Sequence, residues 1–111
     1  VIAAKESAYI FIDITLDNKC DKQLAKELTG YYIDAAGLIL SGKGAGKATG
    51  KIAKKLKKIK AKNLTSFLEK MMKKLKKLKR NNVDDLLDFI TSSGKQITDY
   101  IAKNKNTNCN S

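Results

Sequence analysis

The sequence predicts an all-α protein, a compact bundle of about five helices. Three observations carry that expectation. No proline occurs in the 111 residues. Apolar stripes with helical period, bounded by start and stop signals, run through the later two-thirds of the chain. The one stretch with strand-like alternation has no second strand to pair with, and a lone strand leaves its backbone donors and acceptors unsatisfied.

That stretch is Ile10-Phe11-Ile12-Asp13-Ile14-Thr15-Leu16. Read as part of a helix from Ala3 to about Asp17, it turns Ala4, Ala8, Phe11, Ile12 and Thr15 inward. Asp21 is then the expected cap of a second helix that carries Leu24, Leu28, Tyr31, Tyr32, Ala35, Leu38 and Ile39. Gly30 and Gly37 inside it allow close helix approach or a kink.

Residues 41 to 50, SGKGAGKATG, have the texture of a phosphate-binding loop. The phosphate loop G-x-x-x-x-G-K-[ST] fails here, because Ser41 stands where the first glycine belongs and Ala48 where the hydroxyl belongs. The dinucleotide spacing G-x-G-x-x-G fails too, with Lys47 after Gly42 and Gly44, and Thr49 after Gly44 and Gly46. The stretch reads instead as a hinge between the second and third helices, with Ala45 and Ala48 already in the third.

Ala45, Ala48, Ile52, Leu56 and Ile59 make one stripe of a helix running to about Lys62. Around Asn63 a new helix begins, with Ser66 and Glu69 spaced as a capping box. Its stripe is Leu64, Leu68, Met71, Leu75 and Leu78, ending near Arg80. Asn81-Asn82 breaks the pattern and caps the last helix, whose stripe is Val83, Leu87, Ile90, Gly94, Ile97 and Ile101. Asp84, Asp85 and Asp88 fall in its first turns and Lys95 and Lys103 toward its end, an order that suits the helix dipole. That electrostatic role accounts for the aspartates without a metal or acid-base site. No linker divides the chain, so residues 1–111 are expected to form a single helical domain.

The charge is segregated. The chain carries a net +12, but Lys43 to Arg80 holds sixteen Lys/Arg against one acid, Glu69, a local balance of +15, and the rest sums to −3. KIAKKLKKIKAK and EKMMKKLKKLKR each set lysines around an apolar stripe. Packing the stripes inward leaves ammonium groups outside, and Lys54, Lys55, Lys57, Lys58, Lys73, Lys74, Lys76 and Lys77 are the expected electrostatic binding face.

Such a field fits several partners: a host plasma protein or protein complex with an acidic surface, a polyanion, or an anionic membrane surface. Sequence-specific nucleic-acid recognition is disfavoured. The region is almost entirely lysine, with one arginine and one aromatic, Phe67, beside the inward stripe, so forked base contacts and stacking rings are missing. A membrane-active cationic cytolytic or antimicrobial protein is the alternative reading, since either lysine-rich helix is amphipathic. Its stripes are narrow and spaced for helix–helix packing, however, and the chain has no tryptophan.

The chain contains no histidine, which removes Ser-His and Cys-His nucleophile pairs and histidine-rich zinc sites. No catalytic, cofactor-binding or metal-binding constellation is expected, and the protein reads as non-enzymatic. The longest apolar stretch, Gly30 to Leu40, is interrupted by Asp34 and is about half the length a bilayer requires.

Two cysteines, Cys20 and Cys109, bracket most of the chain. Cys109 lies in the polar tail KNKNTNCNS, where nothing would bury it, so a disulfide to Cys20 is the expected use. Closing roughly 90 residues contributes on the order of 4–5 kcal/mol in the chain-entropy picture. A disulfide implies an oxidising, extracellular location, with Val1 following a removed signal peptide.

A small, secreted, lysine-rich, helical protein with few cysteines resembles the anophensin/albicin family of anopheline mosquito salivary proteins. Cys20, the segment GYYIDAAG (Gly30 to Gly37) and the lysine-rich middle carry the resemblance, which spans the whole chain in size and character. The resemblance implies an inhibitor of host defence, acting on the alternative complement convertase or on contact (kallikrein–kinin) activation. The same outline also fits a toxin domain delivered by a bacterium.

Overall fold

Helix α1, Ile2–Thr15, comprises the stretch with strand-like alternation. In the computed structural model, which describes residues 1–59 and 62–104, with the Lys62 side chain left out, Ile12 is fully buried while Ile10 and Ile14 point outward. Ala4, Ala8, Phe11 and Thr15 are half-buried on the inward side, as the helical reading requires.

Helix α2, Lys19–Leu40, is the centre of the bundle, burying Ala25, Leu28, Tyr32, Ile33, Ala35, Ala36 and Ile39. Its cap is Asn18, not Asp21. The Asn18 side chain accepts from the backbone N–H of Cys20 at 2.7 Å and of Asp21 at 3.3 Å. Asparagine caps as well as aspartate, and here it sits where the chain is still extended.

The turn after Leu40 is the expected hinge. Gly42 has φ +101°, a conformation that costs side-chain-bearing residues dearly, and Gly44 caps α3, Ala45–Leu56. Helix α3 stops well short of Lys62, and a 3-10 turn at Lys62–Leu64 leads into α4, Thr65–Lys77. No side chain caps α4, so the expected Ser66–Glu69 box does not form. Ser66 lies two residues past the cap position, which Leu64 holds as a buried core residue.

Helix α5, Val83–Lys103, starts under a reciprocal cap. Asn82 Nδ2 donates to the Asp85 carboxylate at 2.7 Å and the Asp85 N–H donates back to Asn82 Oδ1 at 3.3 Å. The expected stripe is right from Ile90 onward, but Val83 and Leu87 are exposed, and Leu86, Phe89 and Ser93 are buried in their place. Helix α5 is flanked on more than one side, so its buried arc is wider than a single stripe.

Residue pairs fix the layout. Val1 lies by Gly37, Lys5 pairs with Asp34, Tyr9 lies by Gly30 and Asp13 pairs with Lys26, so α1 runs antiparallel to α2. Gly94 meets Thr29, and Phe89 meets Tyr32 with ring centroids 6.2 Å apart, so α5 is also antiparallel to α2. Helices α1 and α5 are therefore parallel, with Ala8 against Gly94. Phe67 stacks on Tyr100 at 4.3 Å and Lys74 reaches Gln96, so α4 covers the other flank of α5. Helix α3 folds back along α2 and packs on α4. The result places α1 at one edge and the α3–α4 hairpin at the opposite edge, with α2 and α5 between them. One cluster of buried residues from all five helices forms the core.

Candidate functional site: the lysine-rich α3–α4 edge

Apolar periodicity places the lysines. Ala48 and Ile52 face inward on α3 and Leu68, Met71 and Leu75 on α4, so the lysines between them face outward. Lys47 and Lys54 are exposed on α3, and Lys70, Lys73 and Lys77 on α4. Lys57 and Lys58 are exposed just beyond the end of α3, and Lys76 is exposed on α4. Among the described residues, none of the α3 or α4 lysines is in a salt bridge. The two ion pairs seen, Lys5 with Asp34 at 3.2 Å and Lys26 with Asp13 at 2.8 Å, both tie α1 to α2.

Two of the eight expected face residues are turned aside. Lys55 lies over the Tyr31 ring, 4.7 Å from its centroid, a cation–π contact with α2. The Lys74 ammonium donates to Gln96 Oε1 at 3.5 Å on the α5 side. Lys54, Lys57, Lys58, Lys73, Lys76 and Lys77 remain turned to solvent. At the far end of the edge Arg80, near the hinge, lies against Gly42, whose added Cβ would stand 3.5 Å from the guanidinium carbon.

Between the two helices runs an apolar groove of about 260 Å³. Leu56, Ile59, Leu68 and Met72 line it, and Lys57 and Glu69 stand at its sides. Stripe reasoning assigned Leu56, Ile59 and Leu68 wholly to the core and passed over Ala53 and Met72. The signal available in the sequence was the Met71-Met72 pair: one side chain faces in, leaving the other at the edge, and methionine is adaptable at binding surfaces.

Phe67 is half-buried in its stack on Tyr100, so it presents no free ring to a base. Asp85 is engaged in capping, consistent with a structural role for the aspartates of α5. Tyr31 donates to Glu27 Oε1 at 2.6 Å, and that bond, followed by burial and the Glu27 charge, pushes its phenol up to about 12. Among the described residues no group of three or more acidic or sulfur ligands is placed to hold a metal, and no helix is long and apolar enough to cross a membrane. Cys20 is at the start of α2, and its expected partner Cys109 lies outside the described residues.

Compared with protein-family models, curated proteins and solved structures, the chain matches none.

Proposed function

We propose that this chain is a secreted, non-enzymatic binding protein that inhibits a host plasma defence system, the alternative complement convertase or contact activation, by docking its α3–α4 edge onto an acidic protein surface. The observation that carries the reading is the apolar groove, bordered by Lys57 and Glu69, on an edge whose lysines make no ion pair among the described residues. The lysines steer an acidic partner and orient it. A groove lined by Leu56, Ile59, Leu68 and Met72 can seat an apolar side chain, the kind of buried anchor that dominates protein interfaces. A uniform polyanion would use the lysines but not the groove. The choice of plasma defence as target rests on the resemblance in size, charge and character described above.

A Cys20–Cys109 disulfide belongs to the same reading, tying the polar tail to the start of α2 in an oxidising environment. Intact mass after alkylation, with and without prior reduction, tests it. Two alkylations without reduction would remove the disulfide and much of the case for secretion.

The functional test is haemolysis of unsensitised erythrocytes in serum alongside a contact-activation clotting assay, each with added protein. Inhibition of one of the two is expected at micromolar protein, and inhibition of neither would sink the proposal. Dye release from anionic vesicles in buffer without serum would instead favour the cytolytic alternative. That outcome requires α3 and α4 to turn out stripes that are now packed inward.

A further inference from the structure

Asn63-Leu64-Thr65 has the acceptor pattern for an N-linked oligosaccharide, Asn-x-Ser/Thr with x other than proline. Of the eight asparagines in the sequence, only Asn63 has a serine or threonine two residues on. The side chains of Asn18, Asn82 and Asn104 close helix ends instead. So short a motif recurs by chance, and its place in the fold decides whether it can be used.

Asn63 belongs to the 3-10 turn Lys62–Leu64, and Thr65 is the first residue of α4. Both are exposed, while Leu64 between them is only 1% exposed. Leu64 thus pins the turn to the core and leaves in water the two residues that the modification needs. An attached oligosaccharide is bulky and hydrated, so a folded chain accommodates it only at such a surface. Asn63 Nδ2 donates to the Asn104 carbonyl at 2.9 Å, tying the turn to the end of α5. A carboxamide nitrogen carries two hydrogens. Glycosylation takes one of them and leaves the other for Asn104.

The same bond sets the direction in which a sugar would leave. Asn63 Nδ2 lies at the end of α5, whereas Thr65 lines the groove between α3 and α4 together with Leu56, Ile59 and Met72. A sugar on Asn63 therefore starts from the α5 side of the first turn of α4. The groove opens on the other side.

We propose that Asn63 carries an N-linked oligosaccharide, rooted on the α5 side of the α3–α4 turn and clear of the apolar groove. The modification rests on the secreted reading given above, because the transfer takes place in a secretory compartment. The donor is an oligosaccharide linked through its anomeric carbon to a lipid pyrophosphate. That carbon bonds to Asn63 Nδ2 as its bond to the pyrophosphate oxygen breaks, the lipid pyrophosphate leaves, and Nδ2 gives up one proton.

The test is secretion of the full chain from eukaryotic cells behind a cleavable leader, followed by intact mass. The product should be heavier than the 12.2 kDa of the bare chain. Digestion with peptide-N-glycosidase should remove the excess and leave an aspartate at position 63 in the peptide map. Asn63→Gln and Thr65→Ala should each be secreted without the sugar and with unchanged helical circular dichroism. Thr65→Ala leaves the Asn63 side chain in place for Asn104, so it separates loss of the sugar from loss of that bond. In methyl NMR, removing the sugar should leave the Met72 resonance where it was. A secreted product with the mass of the bare chain overturns the proposal, as does a sugar found on another asparagine. A shift of the Met72 methyl on digestion would place the sugar over the groove and overturn it equally. Because the leader imposes secretion, an unmodified product counts against the acceptor alone, and the haemolysis and clotting assays judge the inhibitor reading separately.

Discussion

Gly94 of α5 lies directly against Ala8 of α1: a Cβ added to Gly94 would stand 2.6 Å from the Ala8 Cβ and 3.2 Å from Thr29 Cγ2. Neither Ala8 nor the backbone behind it is a flexible side-chain end that can swing away. Gly94→Ala should therefore destabilise by about 1–3 kcal/mol through overpacking, although alanine is the better helix former by about 1 kcal/mol. Ala8→Gly in the same chain should recover part of the loss. Gly50 of α3, with nothing within 4 Å of its added Cβ, provides the contrast. Gly50→Ala should stabilise by about 0.5–1 kcal/mol, measured by urea denaturation.

The α2–α5 interface holds a buried hydroxyl, Thr29 Oγ1, with no hydrogen-bond partner among the described residues. An unsatisfied buried polar atom costs about 1–3 kcal/mol. Thr29→Val keeps the shape and removes the hydroxyl, so it should raise the unfolding free energy by about 1 kcal/mol. No gain, or a loss, would mean that the hydroxyl is satisfied in solution.

Tyr32 is the opposite case, a fully buried phenol whose hydroxyl donates to the Leu68 carbonyl at 2.9 Å. Tyr32→Phe should cost about 1–2 kcal/mol and loosen α2 against α4, seen as faster amide exchange around Met71.

Both Tyr31 and Tyr32 should ionise late. Tyr31 is raised from 10.0 to about 12, first by its hydrogen bond to Glu27, and burial raises Tyr32 further. A phenol held protonated by the fold stabilises it fully below the unfolded value near 10, and that contribution is lost as pH climbs through the folded value. Thermal stability should accordingly fall above pH 10, and tyrosinate absorbance should lag in the window from 10 to about 12. Glu27→Gln should move the Tyr31 step back toward 10, leaving the Tyr32 step in place.

The lysine edge should be tunable without touching the fold. Lys54, Lys58, Lys73 and Lys77 are exposed and make no ion pair among the described residues, so each to alanine should change stability by no more than about 0.5 kcal/mol. Reversing all four to glutamate should raise the concentration for half-maximal inhibition by about tenfold or more, through a slower association that loses its salt dependence. Met72→Lys should weaken inhibition even though it adds a positive charge to the edge, because it fills the apolar groove with a charge.

Much of this layout was legible in the chain. A stripe such as Leu64, Leu68, Met71 and Leu75 is one-sided, and its burial follows from helix periodicity alone. The hinge within residues 41–50 was equally legible, because four glycines there mark a position where the backbone can reverse, and Gly42 takes the positive φ. The cap of α2 was misread by three residues, since Asn18 and Asp21 are both good capping types and only the extended backbone at Asn18 distinguishes them. The groove between α3 and α4 was illegible, because a groove is a property of two helices at a particular separation.

Composition and periodicity by themselves determined that this is a helical bundle with a lysine-rich segment between acidic ends, since hydrophobic burial and charge repulsion act on residue type and local spacing. Only the tertiary structure decided which side of α5 each neighbour takes, that Lys55 and Lys74 turn aside to Tyr31 and Gln96, and that an Ile-rich face of α1 is left uncovered. Those outcomes depend on close packing at points such as Gly94 against Ala8, where a single missing methyl sets how near two helices can come.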